Sequence, residues 1–254
     1  DRAVVRLPFI TDTSLGHEIL HSWFGNSVLT AETGGNWSEG LTTYLGDHYY
    51  AELADQGGDY RKEQLLRYAS YVPGDNDMAL RDFNNPSDSQ PMARHIRAVG
   101  YDKSAMVFHM LRQKLGDDLF FRGLREFYRK YRFTRAGWDE IEKSFTDVSG
   151  TDLSPFFDQW LSRPDIPELD INSIDVNQVK GQSIVSFTLK QNNAEPYSLL
   201  VPVTVKTRNN TVRQTFPVSE QSADIEMIVD ALPVKMVIDP DYDLMRMITV
   251  GETP

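Results

Sequence analysis

Cysteine is missing from all 254 residues of this chain. That excludes a disulfide framework and any thiolate metal site, so a bound metal would have to use histidine and carboxylate. No apolar run reaches the roughly 18 residues that a membrane-spanning helix needs, so no membrane span is expected. Cations are scarce: Lys and Arg total 26 against 37 Asp and Glu, for a net charge of −11. Nucleic-acid binding rests on clustered Lys and Arg, so nucleic acid is not an expected partner. Internal repeats and low-complexity segments are also lacking. What remains is 40% hydrophobic and 25% charged, the composition of a globular protein with a real core. The length suits one large domain or two ordinary ones.

One stretch organises the rest: Gly16-His17-Glu18-Ile19-Leu20-His21-Ser22-Trp23-Phe24-Gly25-Asn26. It contains H-E-x-x-H. Residues four apart share a helix face, so His17 and His21 can point at one metal ion. Glu18 falls about 100° around the helix from His17, beside the metal, where a base can take a proton from its water. The segment is mostly uncharged, which predicts a buried helix whose histidines need a partner. Gly25 sits where a helix ending after Phe24 would want a left-handed residue. A carboxylate follows in Asn36-Trp37-Ser38-Glu39-Gly40, at the start of a predicted second helix. Two imidazoles and one carboxylate leave a fourth tetrahedral position for water, the pattern of a catalytic zinc site.

HEILHSWFGN followed by NWSEG resembles the zinc signature of the membrane alanyl aminopeptidase family, which are gluzincin metallopeptidases. Gly100-Tyr101-Asp102-Lys103-Ser104-Ala105 is similar to that family's Tyr-x-Lys-Gly segment, and so is Gln159-Trp160-Leu161 to one of its helices. The resemblance implies a zinc-dependent hydrolase of aminopeptidase type with one Zn2+ on His17, His21 and Glu39. Glu18 would be the general base, Tyr101 would stabilise the oxyanion, and peptides would be the substrates. Two departures stand out. The spacer from His21 to Glu39 is one residue shorter than the family's, and Ser104 replaces its glycine. The family's upstream amine-binding Gly-x-Met-Glu-Asn segment does not occur here. The chain starts at Asp1, with no signal-like segment, and is expected to be the C-terminal part of a longer enzyme. The missing N-terminal half would be a partner, and self-association of this part alone is expected. The compartment is not legible.

Pro8 argues for an extended entry, and Thr11, Asp12, Thr13 or Ser14 can cap the first helix. Apolar spacing predicts helices over about 38–54 and 60–71, with Gln56-Gly57-Gly58 as the break. A long loop rich in Pro, Gly, Asn and Asp spans 72–91. Helices are then expected at 104–115, at 117–132, around Trp138 to Phe145, and from Asp152 or Ser154 with Pro155 in its first turn. After Arg163-Pro164-Asp165-Ile166-Pro167 the hydrophobic period changes to two. Strands are predicted at 171–176, 183–190, 199–206, 212–218, 224–229 and 234–238. The expected fold is multi-domain α and β. Residues 1–165 form the mostly helical part of a thermolysin-like catalytic domain, and 166–254 an all-β immunoglobulin-like sandwich.

Other residues have plainer readings. His48, His95 and His109 are read as having no role in the site, His109 as a core or interface residue of an apolar helix, and Thr43 as a candidate for holding a ligand in place. Asn36 and Asn209 match glycosylation acceptors, but a glycan on Asn36 would block Glu39. Two further functions fit the same residues: a non-catalytic interaction module on this scaffold, and a zinc endopeptidase. Survival of Glu18 and Tyr101 favours the enzyme over the first, and the strands after the helices favour the aminopeptidase over the second.

Overall fold

The structure, a computed structural model, describes residues 14–74, 76–84 and 92–249. Packing divides the chain into two units, one ending at Asp165 and the other starting at Ile166. The first is helical with a small parallel sheet, and the second consists of strands, so the protein is mixed α and β.

The first unit opens with α1 (Leu15–His21), β1 (Phe24–Gly25) and β2 (Val28–Thr30). A continuous helical rod follows: α2 (Ser38–Thr42), a π-helical turn (Thr43–His48) and α3 (Tyr49–Leu53). Then come α4 (Gly57–Tyr71), a 3-10 turn (Leu80–Asp82), and a second rod of α5 (Arg94–Arg97), a π turn (Ala98–Lys103) and α6 (Ser104–Leu115). The unit closes with α7 (Asp117–Tyr131), β3 (Arg135–Ala136), α8 (Trp138–Ser149) and α9 (Ser154–Ser162). The three short strands pair in parallel in the order β1-β2-β3. α6 is the hub: every residue from Ser104 to Leu111 is buried. α7 turns Phe120, Leu124 and Phe127 inward, and the Phe120 ring lies 5.5 Å from that of Phe145 on α8. Asp152 prepares the start of α9 by accepting hydrogen bonds from the amide and hydroxyl of Ser154.

Several expectations are corrected. α1 ends at His21, not after Phe24, because the chain turns into β1. α1 is also not a buried helix: Leu15 and Ile19 are about half exposed, and only Gly16 and His17 are buried. Gly57 and Gly58 open α4 instead of breaking it; the break is Asp55, with φ of 58°. The two π turns carry no sequence signature of their own. Of the proposed first-helix caps, Ser14 makes no side-chain cap bond, and Thr11, Asp12, Thr13 and Pro8 lie outside the described residues. The same holds for part of the 72–91 loop.

Among the described residues, the second unit has six strands: β4 (Leu169–Val179), β5 (Gln182–Gln191), β6 (Leu199–Thr207), β7 (Thr211–Val218), β8 (Ser222–Val229) and β9 (Pro233–Ile238). They form two antiparallel sheets, β4-β5-β8 and β7-β6-β9. Alternation sets which face is buried: Val185, Phe187 and Leu189 of β5 are buried, as are Val201, Val203 and Val205 of β6. Lys180 and Gly181 join β4 to β5 with φ of 50° and 86°, the positive values that a two-residue hairpin needs. Among the described residues, no helix is long and apolar enough to cross a membrane.

Candidate metal centre

His17 and His21 lie one turn apart on α1, and Glu39 lies in the first turn of α2. Their ligand atoms converge. His17 Nε2 is 3.1 Å from His21 Nε2, and each is 3.5 Å from Glu39 Oε2. Among the described residues this is the one group of histidines and carboxylates placed to hold a metal. The side chains are largely buried, at 11%, 17% and 12% exposure.

The hydrogen bonds fix which nitrogens are free. His21 Nδ1 lies 3.0 Å from the Phe24 carbonyl oxygen, which can only accept, so Nδ1 carries the proton. His17 Nδ1 likewise donates to Asp47 Oδ2 at 3.2 Å. Both Nε2 atoms are therefore left as lone-pair donors facing each other and a carboxylate. Such a set is repulsive unless a cation or a proton sits within it. Tetrahedral ligands at ~2.0–2.1 Å from zinc lie about 3.3 Å apart, which matches the observed separations of 3.1 and 3.5 Å. The donor set fits a small divalent cation.

Local sequence explains the placement. Gly25 has φ of +120°, and a Cβ there would lie 3.0 Å from His21 Nδ1. Glycine thus lets the chain double back so that the Phe24 carbonyl meets the imidazole. The Asn36 side chain accepts from the amide and the hydroxyl of Ser38, both at 2.8 Å, and so shapes the start of α2. Trp37 Nε1 donates to the Ala136 carbonyl at 2.8 Å and pins that start to β3. Asn36 is buried and engaged, in keeping with setting it aside as a glycan acceptor.

A cavity of about 580 Å³ is lined by the three candidate ligands and by Glu18, Asp47, Arg97 and Tyr101. Glu18 is exposed and lines it, outside the group of three converging side chains. The Tyr101 ring stacks on that of His17 at 6.2 Å and 7°, and the Arg97 guanidinium lies 4.8 Å over the Tyr101 ring. Burial and the nearby Glu39 carboxylate push the Tyr101 phenol well above its ordinary range, so it keeps its proton. Burial by itself would lower the His17 imidazolium. Hydrogen bonds to Asp47 and Glu39 outweigh it and push His17 up to about 9. The field at this site favours positive charge.

The structure thus brings His17, His21 and Glu39 together and lines the same cavity with Glu18 and Tyr101. Thr43 is corrected: its hydroxyl is buried without a partner and holds no ligand. Thr42 is the neighbour instead, with Oγ1 3.3 Å from His17 Nε2 while donating to the Ser38 carbonyl at 2.8 Å. Asp47 was missed by sequence reasoning. The available signal was a carboxylate about two turns beyond Glu39. In a plain α-helix it would point about 80° away, but the one-residue π insertion reduces this to roughly 20°. His48 and His109 are buried in an aromatic cluster with Tyr44, as core residues, and Arg61 lies 2.8 Å from His48 Nε2.

Comparison with known proteins gives the family of the chain. Residues 11–160 match the peptidase family M1 domain. The probable aminopeptidase 1 of Sulfurisphaera tokodaii is 22% identical over 227 residues, covering 83% of this chain and 26% of that protein. An aminopeptidase N of Lactococcus lactis is 31% identical over 85 residues, 34% of this chain and 10% of that protein. Among solved structures, Legionella pneumophila aminopeptidase A in complex with aspartic acid is similar, with a TM-score of 0.61 and 19% identity. The match covers 93% of this chain and 26% of that one. The chain spans between a quarter and a third of the length of its first curated relatives, at 26% and 30%.

Proposed function

This chain belongs to peptidase family M1, and from that premise we propose that it carries the zinc centre of an enzyme that removes N-terminal residues from peptides. The observation that carries the reading is the meeting of three candidate ligand atoms, 3.1 to 3.5 Å apart, on residues that line an open cavity. His17, His21 and Glu39 would hold the ion. Zinc, when bound, polarises water and the scissile carbonyl. Glu18, beside the ligands and open to the cavity, takes the proton of the attacking water and returns it to the leaving amine. Tyr101, held protonated, donates its O–H to the developing oxyanion. Asp47 and the Phe24 carbonyl keep both imidazoles in the tautomer that presents Nε2. The same reading assigns the helical unit to a thermolysin-like peptidase domain and the strand unit to an immunoglobulin-like sandwich. Preference for a free N-terminus comes from the named relatives.

The test is metal analysis together with an aminoacyl-anilide assay on the whole protein. One zinc per chain is expected. Glu18→Gln should keep that zinc and lose about 10² to 10⁴ in rate. A Glu18→Gln variant with wild-type turnover would remove the base assignment, and the absence of stoichiometric metal would remove the centre.

A further inference from the structure

Tyr101, Asp102 and Lys103 are consecutive, yet each is committed to a different part of the first unit. Tyr101 faces the cavity against His17. Asp102 is buried and takes a two-pronged bond from Arg67 of α4, at 3.0 Å from Nε and 2.7 Å from the second nitrogen. Lys103 is fully buried. Its Nζ donates to the carbonyls of Arg163, Pro164 and Asp165 at 2.7, 3.1 and 3.3 Å. An ammonium has three N–H donors, so all of them are used. Three successive carbonyls of an irregular segment surround this group, and the middle one, on Pro164, also accepts from the Tyr68 hydroxyl at 3.1 Å.

The turn that carries these residues is π-helical, a form that is rare and occurs mostly as a single-turn bulge within an α-helix. The helix after it cannot adjust, because α6 is buried on all sides through Leu111. One inserted residue rotates the preceding segment by about 100° relative to α6. The direction of the Tyr101 side chain is therefore set by whatever holds the π turn in place.

We propose that Asp102 and Lys103 are positioning residues, two buried anchors that aim the Tyr101 hydroxyl at the reacting carbonyl. The inference rests on Tyr101 being the oxyanion donor. A displacement of about 1 Å at such a donor costs on the order of 10² in rate, so loosening an anchor acts on turnover and leaves zinc in place.

The test is a double-mutant cycle on the zinc-loaded whole protein with an aminoacyl-anilide. Tyr101→Phe alone should lower kcat by about 10² to 10³. Lys103→Met should lower kcat by roughly 10-fold or more, with KM nearly unchanged, one zinc retained and faster amide exchange confined to 98–103 and 163–165. The double variant should be no slower than Tyr101→Phe, because an anchor has nothing left to aim. If the two losses multiply, or if Lys103→Met turns over normally, the positioning role is overturned while Tyr101 stands. If Tyr101→Phe is as fast as wild type, the oxyanion role falls and the anchors fall with it. Should Lys103→Met fail to fold, Asp102→Asn takes its place in the same cycle: losses that do not multiply support the anchors, and losses that multiply overturn them.

Discussion

On the proposed reading, a single carboxylate orients His17 as a ligand. Asp47 holds the Nδ1 proton at 3.2 Å, so the imidazole presents Nε2 and cannot swing away. On His21 a backbone carbonyl does the same task, and only because Gly25 lets the chain return that closely. Asp47→Ala is therefore expected to weaken zinc binding about 10- to 100-fold, measured by competition against a chelator. Unchanged zinc affinity would show that the ring is held by packing alone. His17, Glu18 and His21 are legible in the sequence because helical spacing is local: positions four apart share a face in any helix, and their neighbour falls beside that face. Asp47 is not, because its partner lies thirty residues away and meets it only in the folded unit.

Among the elements, the two π turns matter most for the site. Each carries a residue that faces the cavity, Asp47 in one and Tyr101 in the other. Apolar periodicity finds the rods that contain them but cannot see one inserted residue, which changes facing without changing composition. The second turn also contains a pH-sensitive group. Burial pushes Lys103 down to about 7. An unfolded chain keeps that proton until about 10.4. Between these values the unfolded state binds more protons, so stability of the first unit should rise with pH, by up to roughly 1.4 kcal/mol per unit. Below about pH 7 both states are protonated, and this contribution to the slope vanishes. Urea unfolding from pH 6 to 10 should show the rise in the wild type and a flatter curve in Lys103→Met. Parallel curves would mean that the three carbonyls hold the proton against burial.

At the scale of the whole chain, an apolar stripe is left open on α1 and just beyond it. Leu15, Ile19 and Trp23 are exposed at 47%, 49% and 44%, each one turn after the last. Tyr49, Tyr50 and Leu53 of α3 are exposed as well. Apolar surface of this kind marks association sites, so this chain alone is expected to self-associate in solution. Sedimentation should show oligomers at high concentration that Ile19→Ser with Trp23→Ser dissociates. A strictly monomeric chain would contradict this. The prediction of a buried α1 failed for a related reason: an uncharged helix reads as core whether or not a neighbour covers it.

The order of local features alone determined most of this protein: helices where apolar residues recur at the helical period, strands where they alternate, and a metal-binding pattern within one turn. These depend on contacts between near neighbours and can be read along the chain. Only the tertiary structure decided that Glu39 closes on the two imidazoles, that Asp47 orients one of them, and that Lys103 finds its three carbonyls. Each of these joins residues distant in the chain. Such pairings are selected by how helices pack and by which buried polar groups must find partners, and no sequence period encodes that.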